Sequence, residues 1–158
     1  MTRPVPSKAW RYWVAALVAL LVVAPFAFDR ARFFVGASAF PDTIRFVGLS
    51  AFSSQGGIRE GCVFAALRLS TESAAPIRLD GLEYLEHLRI GADGTSLSAW
   101  QIYPENPSPD FLMPTCGNNS RYEAEAAGEV GYYAQFNNGE GMLVIYPASR
   151  IGYFYYWG

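Results

Sequence analysis

The sequence predicts an α+β protein in which a single N-terminal transmembrane helix precedes a small, mostly antiparallel β-sheet domain covered by one or two helices. Three observations lead there. Tyr12 to Phe28 is a run of seventeen residues without a charge. Beyond it, five runs rich in β-branched and aromatic residues alternate with clusters of Gly, Ser, Asn and Pro, the pattern of strands joined by turns. Helical periodicity is confined to short segments set apart from those runs, as expected for helices covering one face of an antiparallel sheet.

These features divide the chain into a cytoplasmic N-terminus at 1–11, the transmembrane helix at 12–28, a juxtamembrane segment at 29–41 and an extracytoplasmic domain at 42–158. Seventeen helical residues reach roughly 25 Å, against about 30 Å of hydrocarbon, so flanking side chains or local thinning must make up the difference. Trp10, Tyr12 and Trp13 edge the run on one side and Phe26 and Phe28 on the other, as suits headgroup depth. Arg3, Lys8 and Arg11 precede it, whereas Arg30 and Arg32 beside Asp29 follow it. That bias favours a cytoplasmic N-terminus at an inner or plasma membrane. A cleaved secretory signal is the competing reading, but its apolar core is commonly about 7–15 residues long, with a small-x-small site soon after. Here the nearest such triplet is Ala37-Ser38-Ala39, well beyond Phe28, so the helix is expected to stay as a signal anchor.

The juxtamembrane segment extends the helix by one or two turns before Gly36, and Pro41 closes it. Thr43–Phe52 then predicts a strand that turns at Ser53-Ser54-Gln55-Gly56-Gly57 into a second, Ile58–Ser70, the two forming a hairpin. Leu79, Leu82, Leu85 and Leu88 recur every three residues between acidic positions and predict a helix ending at Gly91. Its start is either Ser73, with Pro76 in the first turn, or Asp80, with Glu83 completing a capping box. Ala92–Asn119 carries four prolines and predicts mostly loop, with a short strand at Leu97–Tyr103. Ser120 and Glu123 form a second capping-box pattern for a helix from about Arg121 to Ala127. Glu129–Phe136, Met142–Tyr146 and Ile151–Trp157 complete the sheet, with Asn137-Asn138-Gly139-Glu140-Gly141 as the hairpin connection between the first two.

From Phe33 onward the chain has seven arginines, no lysine and thirteen carboxylates, a net charge near minus six. Such a surface repels phosphate backbones and anionic headgroups, which excludes nucleic acid as a partner. The two cysteines, Cys62 and Cys116, lie in neither a CxxC nor a zinc-like spacing, and a disulfide between them is the expectation outside the cytoplasm.

No cofactor, metal or catalytic motif is read from the residues: no phosphate loop, dinucleotide fingerprint, nucleophile elbow or zinc helix occurs. Glu83 and His87, four apart on the predicted helix, are the nearest approach to an acid/base pair, and a solvated helix face is the plainer explanation. The C-terminal strand is the other unusual feature. Tyr153, Tyr155 and Trp157 share one face and Phe154 and Tyr156 the other, so the first three are expected to offer a contact surface if only the opposite face serves the core. The whole leads to the expectation of a single-pass envelope protein whose domain binds a protein partner, with a sugar as a further candidate ligand. The alternative is an envelope hydrolase using carboxylates near His87 or in the Ala92–Asn119 loop.

Overall fold

The computed structural model describes residues 8–56, 61–103, 116 and 128–158. The chain divides into two compact units, Met1–Ala31 and Arg32–Gly158. The first unit is formed by helix α1 (Lys8–Ala37), whose last turns belong to the second. Tyr12–Ala37 is long and apolar enough to cross a membrane, with a mean hydropathy of 2.0 in its most apolar part and none of that part buried. Its apolar side chains therefore face outward on every side, unlike those of a core helix. Pro25 sits inside α1 and leaves the Leu21 carbonyl without its usual donor, a defect that apolar spans tolerate. The helix runs on through the juxtamembrane segment as expected, and passes Gly36 by one residue to end at Ala37. Gly36 is needed there for space: a Cβ would come within 2.8 Å of the Ala65 Cβ.

The second unit is built on a six-stranded sheet in the order β1-β2-β6-β5-β4-β3, every neighbour antiparallel. Its strands are β1 (Phe46–Gly56), β2 (Gly61–Leu69), β3 (Gln101–Tyr103), β4 (Gly131–Phe136), β5 (Gly141–Tyr146) and β6 (Ile151–Trp157). The chain lays down the β1–β2 hairpin, crosses to the far edge at β3, and returns strand by strand until β6 pairs with β2, matching Phe64 to Tyr155 and Ala65 to Phe154. The aromatic terminal strand is thus central, which is why it is apolar on both faces.

The leucine stripe did not predict the helices correctly. Helix α2 runs Thr71–Asp80 and α3 only Leu82–Leu85. The cap is Ser70, whose side chain accepts the Ser73 N–H, so neither Ser73 nor Asp80 begins a helix. Gly81 separates the two at φ 56, ψ −122, a conformation closed to a continuous helix, and a Cβ there would meet the Tyr132 hydroxyl at 2.7 Å. The stripe is broken accordingly: Leu85 is buried while Leu79 is 83% exposed.

Ser73 instead fastens α2 to the segment that leads into β1. Its buried hydroxyl accepts the Arg45 N–H at 2.8 Å and the Ser70 hydroxyl at 3.1 Å, and donates to the Thr43 carbonyl at 3.3 Å. A buried hydroxyl with every bonding direction used stabilises, whereas a half-used one costs.

Side-chain alternation gives the sheet two dry faces. On the helix side Ala65, Leu67, Leu69, Ala134, Leu143, Ile145 and Phe154 pack against Phe40, Ile77 and Leu85. On the other side Phe64, Ala66, Tyr133, Met142, Val144, Tyr153 and Tyr155 form a second cluster that includes Cys116. Cys116 is joined to Cys62 by a disulfide, with their Cα atoms 5.6 Å apart. Burial pushes the Tyr133 hydroxyl above its ordinary pKa, and that hydroxyl donates to Gln101 Oε1 at 2.6 Å. Rings also fill the space above strand glycines: Phe136 covers Gly141 and Tyr146 covers Gly131. The helix expected at Arg121–Ala127 lies outside the described residues.

Candidate functional site

A groove of about 610 Å³ lies between two loops at the β3–β4 edge of the sheet and is lined by Thr95, Ser96, Leu97, Ser98 and Gln135 through Gly139. One wall is the β4–β5 connection. Asn137, Asn138 and Gly139 all have positive φ (49, 56 and 96), and the Glu140 N–H returns to the Asn137 carbonyl. Asparagine is among the side chains that tolerate this left-handed backbone, so the turn presents two carboxamides where glycines would present nothing. The opposite wall is a turn in which Asp93 Oδ1 accepts the Thr95 N–H at 2.9 Å and the Thr95 carbonyl accepts the Gly91 N–H at 2.8 Å.

Ser98 ties the two walls to the sheet. Its N–H donates to the Gln135 carbonyl at 2.8 Å, and its hydroxyl accepts the Gln135 N–H at 2.9 Å. A side chain therefore replaces a ladder carbonyl just where β3 pairing gives way to the isolated Leu97–Phe136 bridge. Leu97 and Phe136 close the floor, both nearly buried.

Glu83 and His87 do not line a common groove. Helix α3 ends at Leu85, and the Leu88 N–H bonds the Leu85 carbonyl as the chain tightens and turns away. Glu83 lines a groove of about 350 Å³ with Glu86, Arg89 and Trp100. His87 lines a different one of about 340 Å³ with Pro41, Asp42, Thr43 and Arg89. Both side chains are exposed, and among the described residues no three of His, Cys, Asp and Glu come together. Of the Ala92–Asn119 loop, 104–115 and 117–119 lie outside the described residues.

The C-terminal contact surface needs correction. Tyr153 and Tyr155 do share a face with Trp157, but they are 1% and 2% exposed, with Phe64 centred 5.0 Å from Tyr155 and Tyr146 5.8 Å from Tyr153. Only Trp157 stays half-buried. The expectation assumed one dry face, whereas β6 lies mid-sheet between two.

The groove residues escaped sequence reading. Asn137 to Gly141 signalled a hairpin and nothing more, and no local pattern marks Ser98 as a partner for a strand that begins thirty-three residues later. Comparison with known proteins adds nothing to either site: no family model, no curated protein and no solved structure matches the chain.

Proposed function

We propose that the chain is a single-pass membrane-anchored protein whose extracytoplasmic domain acts by binding in the cell envelope, as an accessory subunit to a protein partner. The observation that carries this reading is a helix apolar on all sides, none of its most apolar stretch buried, continuing into a unit that contains a disulfide. Apolar surface of that extent is not left in water, and a persistent disulfide belongs to an oxidising compartment. The basic residues before the span orient it with Arg3, Lys8 and Arg11 in the cytoplasm of an inner or plasma membrane. A binding role is favoured over hydrolysis because Glu83 and His87, the acid/base pair read from the sequence, line separate grooves and no catalytic motif accompanies either. A sugar is the second ligand class this reading admits.

The test is cross-linking and co-purification of the full chain from native membranes, alongside alkaline extraction and thiol counting. We expect the chain to resist extraction, to label with close to zero thiol equivalents when unfolded without reductant, and to carry a stoichiometric partner. A mature N-terminus near Phe40 would remove the anchor, two free thiols would remove the oxidising compartment, and purification alone after cross-linking would remove the accessory role.

A further inference from the structure

We infer that the groove between Thr95–Ser98 and Asn137–Gly139 is a binding site for a short neutral saccharide, an inference that rests on the domain being a binding module. Its volume of about 610 Å³ lies within the range of about 300–1,000 Å³ usual for small-molecule sites. The decisive feature is charge. None of its nine lining residues is ionisable, in a domain that carries thirteen carboxylates and seven arginines after Phe33. Two smaller grooves both include Arg89, one with Asp42 and His87 and the other with Glu83 and Glu86. A phosphate or carboxylate entering the large groove would lose hydration without gaining a counter-charge, so anionic ligands are disfavoured there.

The lining then specifies what is favoured. Thr95, Ser96, Ser98, Gln135, Asn137 and Asn138 end in hydroxyls or carboxamides, and each such group both donates and accepts. Sugar hydroxyls have the same dual character. The Ser98 hydroxyl is already committed to the Gln135 N–H and the Ala99 carbonyl. The side chains of Thr95, Ser96, Gln135, Asn137 and Asn138 make no hydrogen bond to another described residue, so five dual groups remain for a ligand. They are held on backbones already fixed: Asn137 and Asn138 by the left-handed turn, Thr95 by Asp93 and Gly91. Such preorganisation lowers the ordering cost of binding. Leu97 and Phe136 line the groove too, but both are nearly buried and add little apolar surface.

The experiment is titration of the full chain, in nanodiscs or a phosphocholine detergent because alkyl glycosides carry a sugar headgroup, with maltotetraose, cellotetraose and the tetramer of N-acetylglucosamine. Inorganic phosphate and an uncharged Gly-Ser-Asn peptide serve as comparisons. A few neutral hydrogen bonds to a solvated ligand give affinities on the order of 0.1–10 mM, and we expect at least one saccharide to saturate in that range while phosphate does not. Gln135→Ala and Asn138→Gly, the second keeping the backbone at ease at positive φ, should each weaken binding roughly five- to tenfold with thermal midpoint unchanged. Glu83→Gln, in a separate groove, should change nothing. Failure of all three saccharides to saturate, indifference to both groove substitutions, or equal binding of the peptide would overturn the inference. Co-purification is read separately, so loss of sugar binding leaves the protein-partner reading standing, and the reverse also holds.

Discussion

Replacing Gly141 with alanine tests whether its glycine serves space instead of backbone freedom. Gly141 pairs with Phe136 at the end of the β4–β5 ladder, and a Cβ there would lie 2.1 Å from Phe136 Cζ. Its φ is not in the left-handed region, so alanine strains nothing in the backbone. The ring above it is the obstacle. Phe136 is 6% exposed and stacks on Phe154 at 5.7 Å and on Tyr156 at 6.4 Å. It cannot tilt away without disturbing both. Overpacking of this kind costs about 1–3 kcal/mol, and a disturbed aromatic pair adds about 0.5–1.5 kcal/mol, so Gly141→Ala should destabilise by about 2–4 kcal/mol.

The matching substitution makes the claim specific. Phe136→Ala alone should cost about 3–5 kcal/mol, the usual loss for a buried aromatic. In that background a Cβ at position 141 meets no ring, and Gly141→Ala becomes neutral or slightly stabilising through reduced unfolded-chain entropy. The double variant should therefore be more stable than the sum of the single effects predicts, by about 2–4 kcal/mol, a coupling far outside ordinary additivity error. Urea unfolding of the full chain followed by tryptophan fluorescence measures all four corners, provided the slopes agree. Additive costs, or a Gly141→Ala protein as stable as the parent, would refute the ring-over-glycine argument.

Two further substitutions probe the core and the α2 anchor. Tyr155→Ala should lower stability by about 3–5 kcal/mol, because the side chain is nearly buried beside Phe64; unchanged thermal stability with loss of a co-purifying partner would restore that face as a contact surface. Ser73→Ala should cost about 1–3 kcal/mol by leaving the Arg45 N–H and the Thr43 carbonyl unpaired, and a shift in urea midpoint below about 0.5 kcal/mol equivalent would show that water replaces the hydroxyl.

The strands were legible because they are apolar in a way that depends only on neighbours in sequence. β5 and β6 fall where Met142–Tyr146 and Ile151–Trp157 place them, and the Asn137–Gly141 turn joins β4 to β5. β1 runs on through Ser53 to Gly56, where a turn was expected, since pairing with β2 as far as Gly61 outweighs the local turn preference of Ser and Gly. The helix was misread for a reason of range. The leucine period is local, but the fit of Gly81 beneath Tyr132 and the capture of Ser73 by Thr43 and Arg45 join residues roughly thirty to fifty positions apart. Burial of Tyr153 and Tyr155 was equally out of reach, because their strand's central place depends on pairing between β2 and β6.

That central place also bears on where binding determinants can lie. A sheet with both faces buried uses its aromatic residues for packing, so the surplus of tyrosine and phenylalanine near the C-terminus measures the demands of two cores and carries no information about a ligand. On the binding role proposed above, recognition would fall to the loops, where side chains are not required to fill space. At Asn137, Asn138, Thr95 and Ser96 the backbone is fixed by turns and ladder contacts while the side-chain polar groups make no hydrogen bond to another described residue. Rigid main chain with available donors and acceptors is the combination a binding site needs, and it is what supports the saccharide inference for the groove whose nine lining residues include no ionisable side chain.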